Sequence, residues 1–168
     1  SRCGVLHPDV GERIGAIAAL VDGLSIRDQV PQIEMAKGEG PCVLVFRVLQ
    51  PPAAADLEQL VAFAAAHGLR VYLQEGGPET IRPLPGQAVD LSYSLPDFDV
   101  RLHFLPTDFT QVNLELNRLM VRQALELLDP GPEERVLDLF CGLGNFTLPL
   151  ARRAGSVLGV EAEAGLVE

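Results

Sequence analysis

Apolar residues recur at helical spacing between Asp9 and Leu24, at Val10, Ile14, Ile17, Ala18 and Val21. Asp9 is placed to cap this stretch and Gly23 lies near its end, so one amphipathic helix is expected. After Pro31 the period changes. Gln32 to Ala36 and Cys42 to Leu49 predict two strands, the second an apolar run (Val43, Leu44, Val45, Phe46, Val48) broken by Arg47, with Lys37-Gly38-Glu39-Gly40-Pro41 as the turn between them. Pro51 and Pro52 end the second strand. Leu57, Leu60, Val61, Ala64 and Ala65 then mark one face of a helix that stops at His67-Gly68, glycine suiting the left-handed position past a helix end. Leu69 to Gln74 predicts a third strand. Strand, strand, helix, strand describes an α/β unit in which a helix covers one face of a small sheet.

From Glu75 to Asp99, glycine, proline and polar residues predict turns around short strands near Ile81 to Leu84 and Leu91 to Ser94. Val100 to Leu105 reads as a last strand, and Pro106 is the expected boundary between a central α/β domain over residues 1–105 and a second domain over 106–168. In the second domain Leu116, Leu119, Met120, Ala124, Leu127 and Leu128 form a helical stripe, ended by Asp129-Pro130-Gly131-Pro132. Arg135 to Phe140 reads as a short buried strand, followed by the loop Cys141-Gly142-Leu143-Gly144-Asn145, a helix to about Arg153, and a strand from Ser156 to Glu161. The fold class expected is α/β: a small central domain followed by the beginning of a Rossmann-like domain.

That β-loop-α-β unit carries the chemistry. A glycine loop after a strand lets the backbone approach a ligand closely, a role open to Gly142 and Gly144, and the next helix aims its free N–H groups at the same place. Glu161, at the tip of the next strand, follows Gly142 at roughly the 20-residue distance at which an acidic side chain accepts hydrogen bonds from the ribose of a nucleoside cofactor. A lone Gly-x-Gly is also what a plain tight turn uses, so the order of strand, loop, helix and terminal Glu supplies the weight. Thr147 stands where the dinucleotide pattern has its third glycine. A pyrophosphate needs that close approach and S-adenosylmethionine, which has no phosphate, does not. The methyl donor is therefore favoured over NAD.

Composition removes other classes. At 48% hydrophobic and 21% charged the chain has the make-up of a folded globular protein. It has no apolar run near the roughly 18 residues a membrane span needs and no signal-peptide layout, so a cytoplasmic location and no membrane partner are expected. Cys3, Cys42 and Cys141 lie far apart, which fits reduced thiols. With 12 arginines, the single lysine Lys37 and a formal net charge of -10, the chain lacks an electropositive footprint, so most of any RNA affinity is expected elsewhere. The start at Ser1 and the end at Gly165-Leu166-Val167-Glu168 suggest a piece of a longer protein.

The stretch Arg135 to Ala151, RVLDLFCGLGNFTLPLA, resembles the cofactor loop of the bacterial RNA uracil-5 methyltransferases, above all the 23S rRNA enzymes that carry an iron-sulfur cluster. Phe104 to Asn113, FLPTDFTQVN, is similar to the family's segment ending in DFxQVN, in the family's order and spacing. Looser resemblance runs through the first domain to Cys3-Gly4-Val5-Leu6-His7-Pro8, which is similar to the site of the fourth cluster cysteine, although relatives often have Pro where Gly4 stands.

The resemblance implies 5-methyluridine formation in 23S rRNA with S-adenosylmethionine as cofactor, and no DNA partner. Gln111, Phe140, Asn145 and Glu161 would contact the methyl donor beside Gly142 and Gly144, Gln111 lying also near the target uracil, and Phe109 would line the pocket for the flipped base. Cys3 would be one ligand of a 4Fe-4S cluster in the parent protein, which is not expected to assemble on this chain because the other three ligands are absent from it. No catalytic residue is expected here either, since the family's nucleophilic cysteine and its base lie beyond residue 168, and the chain alone should be inactive. Two alternatives stand beside this reading: a non-catalytic RNA- or protein-binding module, and a tRNA uracil-5 methyltransferase. Cys42 and Cys141 are expected to be packing thiols, His7 a solvated side chain, His67 a helix C-cap, and Arg118 with Arg122 part of a solvated helix face.

Overall fold

A computed structural model describes residues 3–166, and contacts divide the chain into two units, Ser1–Leu91 and Ser92–Glu168. In the first, β1 (Gln32–Ala36), β2 (Val43–Arg47), β3 (Arg70–Gln74) and β4 (Arg82–Pro83) form a sheet in the order β1-β2-β3-β4. β2 and β3 are parallel, with β1 and β4 antiparallel at the edges. A parallel pair needs a crossover, and α3 (Ala54–His67) supplies it, ending at Gly68 with φ +66 as the sequence requires. The register sets Leu44 against Val71 and Phe46 against Leu73, and these four share a core with Leu24, Ile17, Leu60 and Ala64.

The helix expected from Asp9 to Leu24 is two helices, α1 (Pro8–Gly11) and α2 (Ile14–Gly23), with Arg13 at φ -110 between them. The break has a tertiary cause. Cys3 N donates to Gly11 O at 2.9 Å, and a Cβ on Gly11 would lie 2.5 Å from Cys3 O, so the preceding chain crosses where the helix would have continued. The cap is not Asp9 but His7, whose Nδ1 accepts from Asp9 N at 3.3 Å and lies 3.4 Å from the Asp9 carboxylate. His67 packs against Phe63 with ring centroids 4.4 Å apart and the rings tilted by 52°.

Asp56 sits in the first turn of α3 and is buried. Its carboxylate accepts from Ser25 Oγ (2.6 Å), Ser25 N (2.7 Å) and Ala53 N (2.9 Å), joining the end of α2 to the start of α3. The Ser25 hydroxyl and amide hold this carboxyl below its usual value. A depressed carboxyl contributes stability above the unfolded pKa and loses it as pH falls through the folded one. Asp56→Ala is therefore expected to cost about 3 kcal/mol at pH 7. The gap to wild type should shrink in urea titrations run below the ordinary carboxylate range.

The second unit begins with the hairpin β5 (Ser92–Leu95) and β6 (Val100–His103), continues with α4 (Leu114–Leu128), and ends in β7 (Arg135–Leu139), α5 (Thr147–Leu150) and β8 (Ser156–Val160), where β7 and β8 are parallel. The break between units thus falls at Leu91 rather than near Pro106. The hairpin goes with α4 because side chains tie them: Arg118 Nε donates to Ser94 O (3.0 Å) and Arg122 NH2 meets the Asp97 carboxylate at 2.6 Å. Arg118 and Arg122 are thus staples of the hairpin, not a merely solvated face.

Two expectations about burial are reversed. On α4 the buried residues are Asn117, Val121 and Leu125, whereas Leu116, Leu119, Met120, Leu127 and Leu128 of the expected stripe are exposed. Helix α4 is apolar on more than one face, and the inward face contains a polar amide whose partners the periodicity does not reveal. The strand β7, expected to be buried, leaves Leu137 and Leu139 each 57% exposed. Both strands of its sheet alternate exposed and half-buried residues, so one face lacks a covering layer among the described residues.

Candidate cofactor-binding loop

Strand β7 ends at Leu139, and the chain reverses through Phe140 (φ 61), Gly142 (φ 54) and Gly144 (φ 90). Three left-handed residues in five make a sharp bend that only glycine adopts without strain at two of them. A Cβ on Gly142 would meet nothing within 4 Å, so the space beside this backbone is open. The loop is seated from below by small side chains. A Cβ on Gly159 of β8 would lie 2.9 Å from Cys141 Sγ and 3.3 Å from Thr147 Cγ2, so the missing side chain at 159 lets both pack down. Thr147, where a third glycine was absent from the pattern, donates its hydroxyl to the Asp138 carboxylate and so ties α5 to β7.

Glu161 follows the last residue of β8 and turns back to the bend. Its Oε2 accepts from Gly142 N at 2.9 Å, and its Oε1 from Ala162 N (2.7 Å) and Glu163 N (3.1 Å). The amides of Glu163, Gly142 and Ala162 hold the carboxyl below its usual range, so it is an anion at neutral pH. An ionised carboxylate offers about four acceptor positions, which leaves room for a further donor. Gly142, Gly144 and Glu161, assembled from the sequence as a site, are together in space.

Asn145, expected at the methyl donor, is also bonded within the protein. It forms a reciprocal amide pair with Asn117: Asn117 Nδ2 donates to Asn145 Oδ1 (2.8 Å) and Asn145 Nδ2 to Asn117 Oδ1 (2.9 Å), while Tyr93 OH donates to the same Oδ1 at 3.1 Å. Asn117 is 2% exposed and Tyr93 is buried. Sequence reasoning missed both. The signal for Asn117 was a polar residue one and two turns before Val121 and Leu125 on one helix face.

The DFxQVN segment divides by role. Asp108 closes a turn by accepting from Leu105 N at 2.6 Å, and Asn113 caps α4 by accepting from Leu116 N at 3.0 Å. Phe109, 81% exposed, and Gln111, also exposed, are not consumed by packing. Phe140 is likewise exposed at the bend. The structure does not bring Phe109 or Gln111 into a hydrogen-bonded cluster with Glu161 among the described residues.

The cysteines differ. Cys42 is buried, and loss of solvent pushes its thiol up to about 11, which makes it a packing residue. Cys141 is half-buried against Gly159. Cys3, in the first unit, is held below the ordinary thiol range by the backbone amides of Val5 and Leu6. No group of three His, Cys, Asp or Glu able to hold a metal occurs among the described residues, and no helix of these is long and apolar enough to cross a membrane.

Comparison with known proteins gives a consistent picture. The family model described as tRNA (Uracil-5-)-methyltransferase matches residues 55–167. The 23S rRNA (uracil(1939)-C(5))-methyltransferase RlmD of Methylococcus capsulatus is 58% identical over 98% of the chain, and the protein of that name from Aromatoleum aromaticum is 54% identical over 98%. The chain spans 38% of the length of each of these relatives. The crystal structure of Pyrococcus abyssi tRNA (uracil-54, C5)-methyltransferase in complex with S-adenosyl-L-homocysteine superimposes with a TM-score of 0.62 at 17% identity, over 95% of this chain and 41% of that one, a likeness of fold.

Proposed function

Because the chain belongs to the tRNA (uracil-5-)-methyltransferase family, we propose that it supplies the central domain and the opening strands of the catalytic domain of an enzyme that methylates carbon 5 of a uridine in 23S rRNA. The observation that carries this reading is the Glu161 carboxylate bonded to the Gly142 amide beside an open bend. The fit to S-adenosylmethionine is chemical: an anionic acceptor for sugar hydroxyls, a backbone stripped of side chains, and no basic group for a phosphate in the loop itself. When bound, that molecule supplies an electrophilic methyl group. Glu161 would accept hydrogen bonds from the ribose, Gly142 and Gly144 would admit the adenosine to the backbone, and Phe140, Asn145 and Gln111 would complete the pocket. Phe109, exposed and unused by packing, would receive the flipped base.

Neither Cys42 nor Cys141 suits attack on a pyrimidine ring, the first being buried and raised, the second packed on Gly159. The nucleophile and the base that removes the carbon 5 proton would come from outside residues 1–168. The edges of the β7-β8 sheet would pair with further strands, and helices joining those strands would cover its exposed faces. Cys3 fits one position of a 4Fe-4S cluster, since amide donors to its sulfur favour the thiolate that ligates iron. An enzyme acting on 23S rRNA would work in the cytoplasm.

The test is methyl transfer from labelled S-adenosylmethionine to 23S rRNA transcripts. The full-length protein should label a single uridine, and residues 1–168 alone should label none. Labelling of tRNA but not rRNA by the full-length protein would replace the substrate, and turnover by the 168-residue chain would refute the placement of the nucleophile.

A further inference from the structure

Asn145 lies in the loop assigned to the methyl donor, yet its carbonyl is already doubly engaged. Asn117 Nδ2 and Tyr93 OH both donate to Oδ1, and one Nδ2 hydrogen returns to Asn117 Oδ1. Three elements meet at this one side chain: the hairpin strand β5 through Tyr93, helix α4 through Asn117, and the loop itself. A buried amide left half-satisfied is costly, so a reciprocal pair with a third donor is a rigid arrangement. It fixes which end of the Asn145 amide is spent on the protein and leaves a single Nδ2 hydrogen without a partner among the described residues. Burial pushes the Tyr93 hydroxyl up to about 12, so it remains a donor throughout the working range.

From this geometry we infer that Asn117 and Tyr93 are positioning residues for the methyl-donor loop, acting on the cofactor through Asn145 rather than by touching it. The inference rests on the reading of Gly142 to Asn145 as that loop. It gives α4 and the β5-β6 hairpin, neither of which carries a residue of the glycine motif, an indirect part in cofactor affinity.

Asn117→Asp is the decisive variant. An aspartate carboxylate still accepts from Asn145 Nδ2 but faces Asn145 Oδ1 with a second acceptor, whereas the protonated acid is isosteric with the amide and donates again. In the full-length protein, calorimetry with S-adenosylhomocysteine should show affinity down by about tenfold or more at pH 8, for the loss of one positioned donor beside a charge. Recovery is expected toward pH 5, where Glu161 stays ionised and wild type is unchanged. Tyr93→Phe, which keeps the ring packed, should lose several-fold in affinity with its thermal midpoint nearly unaltered. If wild type binds and both variants bind as tightly, whatever their melting temperatures, the positioning role is overturned and the loop assignment survives. If wild type itself does not bind, the loop assignment fails and takes this inference with it.

Discussion

Glu161→Gln in the full-length protein should reduce affinity for S-adenosylhomocysteine on the order of a hundredfold, the largest functional effect expected of any residue in the chain. The substitution keeps size and one carbonyl acceptor, but it replaces an anion that accepts from Gly142, Ala162 and Glu163 by an amide whose nitrogen cannot accept. At least one backbone amide then loses its partner, and the bend at Gly142 loses the group that pins it. Both losses act on the same ligand. The pH profile of the wild type follows from the same contacts. The carboxyl is held below its usual range, so the ionised form that binds is present throughout pH 5 to 8, and affinity should fall only as pH drops through that depressed value. A wild-type affinity that falls between pH 7 and 5 would show that Glu161 is not the group being read. Calorimetry at three pH values decides it.

Phe46→Ala should unfold the first unit at far lower denaturant than wild type, by about 4 kcal/mol. Phe46 is fully buried, pairs with Leu73 in the β2-β3 register, and packs in the cluster that holds Leu44, Leu60, Ala64 and Val71. Removing the ring leaves a cavity that a sheet held between neighbours on both sides cannot collapse to fill. Phe109→Ala is the control. At 81% exposure it should move the midpoint by less than about 0.5 kcal/mol. Equal shifts for the two phenylalanines in chemical denaturation would mean that the core has been misplaced. Should Phe109→Ala then lower rRNA methylation without altering stability, its part in the base pocket would gain support.

How far the sequence carried the site can be followed residue by residue. Gly142, Gly144 and Glu161 were legible because the constraint on each is local or nearly so: a positive φ favours glycine, and a carboxylate just past the next parallel strand falls beside the preceding loop once the two strands pair in register. Asn113 and Asp108 belong to a recognisable segment, though their work as cap and turn became visible only with the backbone in place. Asn117 was not legible. Hydrophobic periodicity weighs apolar residues, and α4 has enough leucines on its exposed side to draw the stripe to the wrong face. His7 escaped for a related reason, since its capping bond depends on where the chain enters α1.

By itself the sequence determined the element order from β1 to β3, the crossover through α3 with its glycine stop, and the Gly-x-Gly bend followed by a carboxylate. These rest on side-chain period, on backbone preferences of glycine and proline, and on chain distance, all of which act within or between adjacent elements. The tertiary structure alone decided which face of α4 turns inward, where the first helix breaks, that the β5-β6 hairpin joins the second unit, and that Asn145 is held by Asn117 and Tyr93. The helix break turns on where Cys3 N meets Gly11 O, the other outcomes on hydrogen-bond partners 24 to 52 residues apart, and no local pattern encodes the partner of a buried polar group.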